Sequence, residues 1–182
     1  MRILAIDPGP VQSAYVVWDG VKLEPPADEF GEFYGGYEIL PNEELQSFLV
    51  NESHRWDYVV IEKVACYGMA VGENVFETVF WTGKFCGWMV AEDAIRMPRK
   101  DVKMHLCGSM RAKDSNIRQA LIDRFGPPGT KKAPGLTYGL KKDLWQAFAL
   151  AVTYYDQNCP QANAKGSRID YLLGNVCRDT GE

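Results

Sequence analysis

Hydrophobic and polar residues in the first part of the chain alternate in short blocks that predict strands joined by tight turns. Residues 2–6 form an apolar run that Pro8-Gly9 ends, and residues 13–18 form a second run that the pair Asp19-Gly20 ends. Apolar runs of this length, bounded by Pro, Gly and Asp, are typical of a β-hairpin. Residues 21–23 and 35–40 can extend the same sheet, with an acidic, proline-containing loop between them.

A helix and a buried strand are predicted next. Residues 41–51 carry Glu43 and Glu44 near their start, where the helix dipole favours acids, and then repeat apolar residues at helical spacing. Residues 57–64 form an apolar and β-branched run with the length of a buried strand. Because a helix precedes this strand, we expect a crossover connection.

The second half of the chain has mainly helical patterns. An apolar pattern from 74 to about 95 predicts a helix in which Gly83 and Gly87 share one face, and two aligned glycines indicate close approach of another backbone. The remaining predicted elements are a weak strand at 101–106, a helix at 117–125, a Pro/Gly loop at 126–139, an alanine-containing helix at 141–156 and a short docking turn at 169–173. Strands mixed with helices predict an α/β domain.

Length and composition limit these elements to one domain. The chain has 182 residues and is 46% hydrophobic, which suits a single domain with its own core. We assign residues 1–158 to that domain and 159–182 to a C-terminal extension of it. No apolar run approaches the roughly 20 residues of a membrane span, and charge appears too early for a signal peptide, so we expect a cytoplasmic protein without a membrane partner.

Cysteine usage argues against a disulfide framework and against a zinc site. The five cysteines are Cys66, Cys86, Cys107, Cys159 and Cys177. Their number is odd, no two form a CxxC pair, and only two histidines are available to complete a metal cage. We predict reduced, mostly buried thiols that act as small hydrophobic side chains.

Charge is unevenly distributed along the chain. A net charge of −4 argues by itself against a nucleic-acid partner, because phosphate neutralisation supplies most non-specific affinity. Between residues 96 and 113, however, six Lys and Arg residues accompany a single acid, and further lysines stand at 131, 132, 141 and 142. The pattern predicts either one basic face on an acidic protein or two solvated lysine-rich loops.

Three acids stand where apolar neighbours make a charge costly. Asp7 ends the first predicted strand, Glu62 interrupts the buried strand, and Asp143 opens the last helix. Mixed sheets bring such positions together at one edge, and the first turn of a helix can point a carboxylate there. Each acid also has an ordinary interpretation: a turn residue for Asp7, a helix-start charge for Asp143 and, with the least support, a surface residue for Glu62.

Three converging carboxylates repel one another, and a divalent cation removes that repulsion. Hard oxygen ligands are those that Mg²⁺ prefers. Paired ions of this kind activate water for in-line attack at phosphorus and stabilise the leaving 3′ oxygen. The acids therefore predict phosphodiester hydrolysis with Mg²⁺, for which Mn²⁺ can substitute, at two ions per active site.

The order of these motifs resembles the RuvC Holliday junction resolvases of the ribonuclease H-like superfamily. The motifs are IDPG, then VVIEKV about fifty residues later, then D-x-x-x-A-x-A-x-A from Asp143. Between them, Val102-Lys103 followed by Gly108 and by Arg111-Ala112-Lys113 is similar to a family segment that carries DNA-contacting lysines. The resemblance covers about residues 2–156 and implies a ribonuclease H-like mixed five-stranded sheet flanked by helices.

For the active site, the resemblance implies that Asp7, Glu62 and Asp143 are catalytic metal ligands. A fourth family acid is replaced by Gln146, whose neutral amide oxygen coordinates only weakly. Asp143 lies three residues earlier on the same helix face and matches another acidic or His position of the family. A second metal would then be held by Asp143, by water or hardly at all.

For DNA, the resemblance implies that Lys103 contacts the backbone or the active site. The family places its second lysine where this chain has Asp114, so Lys113 is expected to share that role with Arg111. Tyr67 matches by position an aromatic that stacks on unpaired bases, although a buried turn tyrosine is an equal interpretation. Further DNA contacts are expected at Lys100, Lys141 and Lys142.

RuvC-like resolvases act as homodimers on four-way junctions, so the resemblance implies branched DNA and a second copy of the chain as partners. The helix at 74–95 is the expected dimer interface or, equally, a helix packed on its own sheet. The leading hypothesis is a Mg²⁺-dependent, structure-selective endonuclease. Gln146 motivates the alternative of a catalytically lapsed branched-DNA-binding protein. A sugar-kinase-like or acetate-kinase-like ATPase shares the opening strand-Asp-x-Gly pattern, but it needs a second phosphate loop that the sequence does not show.

Overall fold

The computed structural model describes residues 1–23, 36–52, 55–66, 68, 70–88 and 94–159. The strands are β1 (Ile3–Asp7), β2 (Gln12–Trp18), β3 (Tyr37–Pro41), β4 (Tyr58–Lys63), β5 (Ile95–Pro98), β6 (Gly129–Thr130) and β7 (Ala133–Pro134). The helices are α1 (Asn42–Asn51), α2 (Glu73–Trp88), α3 (Arg99–Cys107), α4 (Asp114–Phe125) and α5 (Leu144–Asn158).

Five of the strands form one mixed sheet in the order β3-β2-β1-β4-β5. Strand β2 is antiparallel to both β1 and β3, whereas β4 is parallel to both β1 and β5. The crossover predicted from helix α1 is therefore present between β3 and β4. This sheet, with its flanking helices, confirms the predicted fold class.

Side-chain alternation along the strands gives the sheet two apolar faces. Ile3 and Ala5 of β1 belong to a buried cluster with α3, α4 and α5, whereas Leu4 and Ile6 belong to a second cluster with α1 and α2. The central strands are buried on both sides, which explains their nearly continuous apolar sequences. Helix α5 packs across β1, β2 and β4, and Ala147, Ala149 and Ala151 are fully buried there.

The prediction of a strand at residues 101–106 is wrong, because these residues lie within helix α3. The strand of this region is β5, whereas the sequence analysis ended the preceding helix at about residue 95 and assigned no element to residues 96–98. Pro98 stands at the N-cap of α3 and Gly108 at its C-cap with φ 65°. Both are ordinary helix-boundary residues, so they define a helix in which Val102 alone is buried.

Two further differences concern the loop at 126–139 and the thiols. Within that loop, β6 and β7 form a small antiparallel hairpin. The four described cysteines are free thiols, as predicted, but Cys66 is exposed and the other three are only partly buried, so the prediction of mostly buried thiols is wrong. No helix in the described part of the chain is both long and apolar enough to cross a bilayer.

Three sequence-based expectations lie outside the described residues. They concern Tyr67 as a base-stacking side chain, Cys177 and the docking turn at 169–173. The C-terminal extension at 159–182 is described only at Cys159. These expectations remain predictions.

Candidate active site

The carboxyl ends of β1 and β4 bring two predicted acids to one edge of the sheet. In the parallel register Ile6 lies opposite Ile61, and Asp7 and Glu62 are the next residues of the two strands. By strand alternation Asp7 shares the side of Ala5, and Glu62 shares the side of Val60, both of which pack in the α5 cluster. Both acids therefore belong to the face on which α5 begins.

A buried polar network holds the loop that follows Asp7. The Gly9 amide donates to Ser13 Oγ at 3.1 Å, and Ser13 Oγ donates to Asn42 Oδ1 at 2.7 Å. Asn42 Nδ2 closes the ring by donating to the Gly9 carbonyl at 3.0 Å. A Cβ at Gly9 would lie 2.3 Å from the Gln12 carbonyl oxygen, so this turn requires glycine. The network fixes the backbone at the end of β1 and thereby positions Asp7.

The third predicted acid, Asp143, occupies the N-cap position of α5. Its side chain makes no capping hydrogen bond, so the helix end does not engage its carboxylate. Lys142, just before it, has a left-handed backbone with φ 47°, which turns the chain sharply into the helix. Gln146 lies one turn further and is 9% exposed. The helix begins three residues later than the predicted start at 141.

Arg99 joins the acids from the first position of α3, directly after β5. Its Nη1 donates to both carboxylate oxygens of Glu62, at 3.1 and 2.9 Å. Its Nη2 forms an ion pair with Asp114 Oδ1 at 2.9 Å. The Glu62 side chain is 16% exposed and that of Arg99 30%, so this pair is largely withdrawn from water. Arg99 therefore bridges a buried acid of the sheet and the start of α4.

Proton affinities reflect this crowding of charge. Burial, followed by the negative charge of Glu62, raises the pKa of Asp7 well above its ordinary value, and Asp143 adds to the effect. Burial also raises the pKa of Glu62, although Arg99 and Lys103 oppose the shift. Asp7 therefore interacts electrostatically with both Glu62 and Asp143.

The carboxylates of this site are chemically suited to a hard cation, but their spacing in this structure does not form a metal site. Carboxylate oxygens are the ligands that Mg²⁺ prefers. Within the described ranges, however, no three Asp, Glu, His or Cys side chains are grouped closely enough to hold a metal ion. Both oxygens of Glu62 accept hydrogen bonds from Arg99.

The basic residues predicted to contact DNA differ in how they relate to this site. Lys103 on α3 lies near enough to Glu62 to lower its pKa. Lys113 forms the N-cap of α4, where its amide donates to Asn116 Oδ1 at 2.8 Å. The other basic residues predicted to contact DNA are exposed, and they are Lys100, Arg111, Lys141 and Lys142. Among the residues predicted to contact DNA, Lys103 therefore interacts electrostatically with the acids, in addition to Arg99.

Sequence reasoning missed Arg99 and Asp114 as members of the site. Arg99 was counted only as part of a basic segment, and Asp114 only as a departure from a family lysine. The available signal was Pro98, since a short strand that ends there would put Arg99 at the same sheet edge as Glu62. No element was assigned to residues 96–98, so that position was not recognised.

Comparisons with known proteins agree with the fold. No protein-family model matches the chain, and no curated protein matches it in sequence. A Thermus thermophilus RuvC structure matches with a TM-score of 0.56 and 18% identity, covering 86% of this chain and 96% of that one. The T. thermophilus RuvC in complex with Holliday junction substrate matches with a TM-score of 0.58 and 16% identity, covering 89% and 97%. This chain therefore has the ribonuclease H-like fold of RuvC.

Proposed function

We propose that this chain is a Mg²⁺-dependent, structure-selective endonuclease that nicks branched DNA and resolves Holliday junctions during recombination, repair or phage DNA processing. The observation that carries the proposal is the position of Asp7 beside Glu62 at the carboxyl ends of β1 and β4 in a RuvC-like sheet, where Asp143 also acts electrostatically on Asp7. The similarity to a RuvC bound to a Holliday junction substrate supports branched DNA as the substrate class.

We assign each side chain of the site a role in phosphodiester hydrolysis from its position. Asp7 and Asp143 would supply oxygen ligands for the metal ion, whose chemistry here would be activation of water and stabilisation of negative charge on the leaving oxygen. Glu62 keeps Arg99 beside them. Lys103, next to Glu62, supplies positive charge for the DNA backbone at the reacting strand. Arg111 and Lys113 extend this charge along the turn before α4.

The proposal is tested with a synthetic four-way junction and a linear duplex of the same sequence. We expect nicking of the junction with Mg²⁺ or Mn²⁺, none with EDTA, and little cleavage of the duplex. Junction binding without nicking in either metal would instead support the lapsed binding protein. ATP hydrolysis in the absence of DNA would support the kinase-like alternative.

A second copy of the chain is the proposed protein partner, and helix α2 is the proposed contact. Trp81 and Phe85 of α2 are buried against its own sheet. The opposite side exposes Phe76 by 64%, Val79 by 50% and Phe80 by 57%. An apolar stripe of this kind on a helix marks an interaction surface.

The two glycines of α2 continue that exposed stripe. Phe76, Phe80, Gly83 and Gly87 follow one another at helical spacing. An ideal Cβ at Gly83 or Gly87 meets nothing within 4 Å, so the close approach expected there is not made within the described residues. A helix of a second protomer could come near the backbone at both positions. Two protomers also supply the two active sites that cutting opposed strands requires.

Charges on this stripe should separate the protomers. For Phe76→Glu/Phe80→Glu we expect the dimer dissociation constant to rise by at least about 100-fold, because two apolar anchors are lost and acids face their own copies. Sedimentation velocity across a dilution series measures the change. Met110→Glu, an exposed apolar residue on the other side of the sheet, is the control and should stay dimeric. A wild type that is monomeric at all concentrations would contradict the dimer.

A further inference from the structure

We propose that Arg99 takes the place of a second divalent ion, so that each active site binds a single metal ion. The inference deepens the proposed function and rests on it. Two-ion hydrolysis was the expectation from the sequence, with the second site weakened at Gln146. The structure offers a fixed guanidinium at the same cluster of acids.

The first support is the geometry of Arg99. One nitrogen of its guanidinium donates to both oxygens of Glu62, and the other is paired with Asp114. A planar guanidinium held at both ends has little freedom to leave, and hydrogen bonds between charged groups are among the strongest in proteins. Glu62 is therefore satisfied by Arg99 and is withdrawn from the ligands open to a metal.

The second support is the charge of the whole group. The interacting acids are Asp7, Glu62, Asp114 and Asp143, and the interacting cations are Arg99 and Lys103. Four negative and two positive charges leave −2, which one divalent ion neutralises. A second divalent ion would leave these six groups at a formal +2, and burial already disfavours charge at Asp7 and Glu62. The formal charge of these groups therefore matches one ion better than two.

The third support comes from helix α5. Gln146, one turn after Asp143 on α5, is neutral, so the first turn of this helix supplies one carboxylate, where a pair would serve two ions. Asp7 and Asp143, with water, can hold one Mg²⁺, since this ion keeps several waters in protein sites. Arg99 then supplies fixed positive charge beside Glu62 for the transition state.

Metal stoichiometry measured without DNA tests the inference directly. We expect titration calorimetry with MnCl₂ to give one ion per chain for the wild type. Arg99→Gln frees Glu62 and removes one positive charge, so we expect two ions per chain, with the spin-coupled signal of a Mn²⁺ pair in the electron paramagnetic resonance spectrum. Arg96→Gln makes the same change on an exposed arginine of β5 and should keep one ion.

A substitution of Glu62 keeps the test open if Arg99→Gln does not fold. Because Glu62 serves Arg99 and is not a ligand in this account, Glu62→Gln should weaken Mn²⁺ binding only through the loss of one nearby negative charge, by less than about tenfold, whereas Asp7→Asn removes a ligand and should weaken it by more than that. Two ions per wild-type chain, no bound Mn²⁺, or a loss of affinity in Glu62→Gln as large as that in Asp7→Asn would overturn the inference. If two ions bind and the junction is nicked, the inference fails and the proposed function stands. If one ion binds and the junction is not nicked, the proposed function fails and the single-ion site stands.

Discussion

Replacing Asp7 with Asn should abolish junction nicking while leaving the protein folded. Asp7 ends β1 among the other acids, and the substitution keeps its size but removes its charge. Because even outer partners of metal ligands cost 10–100-fold when they are lost, we expect nicking to fall by more than about 100-fold. Single-turnover cleavage of a labelled four-way junction measures the loss. Asp123→Asn, an exposed acid on α4, is the control and should cut at the wild-type rate.

The same substitution should stabilise the metal-free protein. Burial and the neighbouring acids raise the pKa of Asp7. A carboxyl group with a raised folded pKa lowers stability as the pH rises above its unfolded value of about 3.9, because the unfolded state releases the proton more readily. In EDTA at neutral pH, Asp7→Asn should therefore unfold at a higher temperature than the wild type. The difference should shrink near pH 4, and a lower midpoint for Asp7→Asn at neutral pH would contradict this account.

The strands of the central sheet were predictable because their burial leaves a direct mark on the sequence. Strands β1, β2 and β4 are covered on both faces, so each is an apolar run in which any charge is conspicuous. This is why Asp7 and Glu62 stood out as site residues. Helix α5 was predictable for a related reason, since nearly all of its residues are buried.

The region from β5 to α3 was not predictable in the same way. Strand β5 has four residues, too few for a period to distinguish it from the apolar helix pattern that precedes it. Helix α3 buries Val102 alone, so it lacks the apolar repeat of an amphipathic helix. Its boundaries, Pro98 and Gly108, were the better signal.

The partner of Glu62 was beyond sequence reasoning for a different reason. A sequence shows that Arg99 and Asp114 are charged, but only the path of the chain decides which charges meet. Here β5 ends beside β4, so the first residue of α3 reaches Glu62, and the start of α4 supplies Asp114. The acids of the site could therefore be predicted, whereas the cation that balances them could not.

A second cluster of charges, far along α5, joins the three helices on one face of the sheet. Asp156 is almost fully buried and accepts hydrogen bonds from both terminal nitrogens of Arg124 on α4, with Nη2 to Oδ1 at 2.7 Å. His105 on α3 adds a contact from Nε2 at 2.8 Å. Burial alone would raise the pKa of Asp156, but the bonds from Arg124 and His105 lower it.

Removing Arg124 should destabilise the protein strongly, because the buried carboxylate of Asp156 loses its arginine partner. For Arg124→Met we expect the free energy of unfolding to fall by about 3 kcal/mol, at the lower end of the range for breaking a buried ion pair because His105 remains. Urea unfolding at pH 7 measures the change. Arg111→Met, an exposed arginine outside the cluster, should change it by less than about 0.5 kcal/mol.

Two further measurements distinguish the effect of the lost ion pair at Asp156 from the effect of the packing lost with the Arg124 side chain. The double variant Arg124→Met/Asp156→Met should recover part of the loss, because it removes the buried acid together with its arginine partner. In the wild type, the lowered pKa of Asp156 contributes stability above its unfolded value of about 3.9, and this contribution is lost as the pH falls. The gap between the wild type and Arg124→Met should therefore narrow from pH 7 toward pH 4. Arg124 would act through packing instead of charge if two results were found together. The stability difference between the wild type and Arg124→Met would be constant with pH, and the double variant would be no more stable than Arg124→Met.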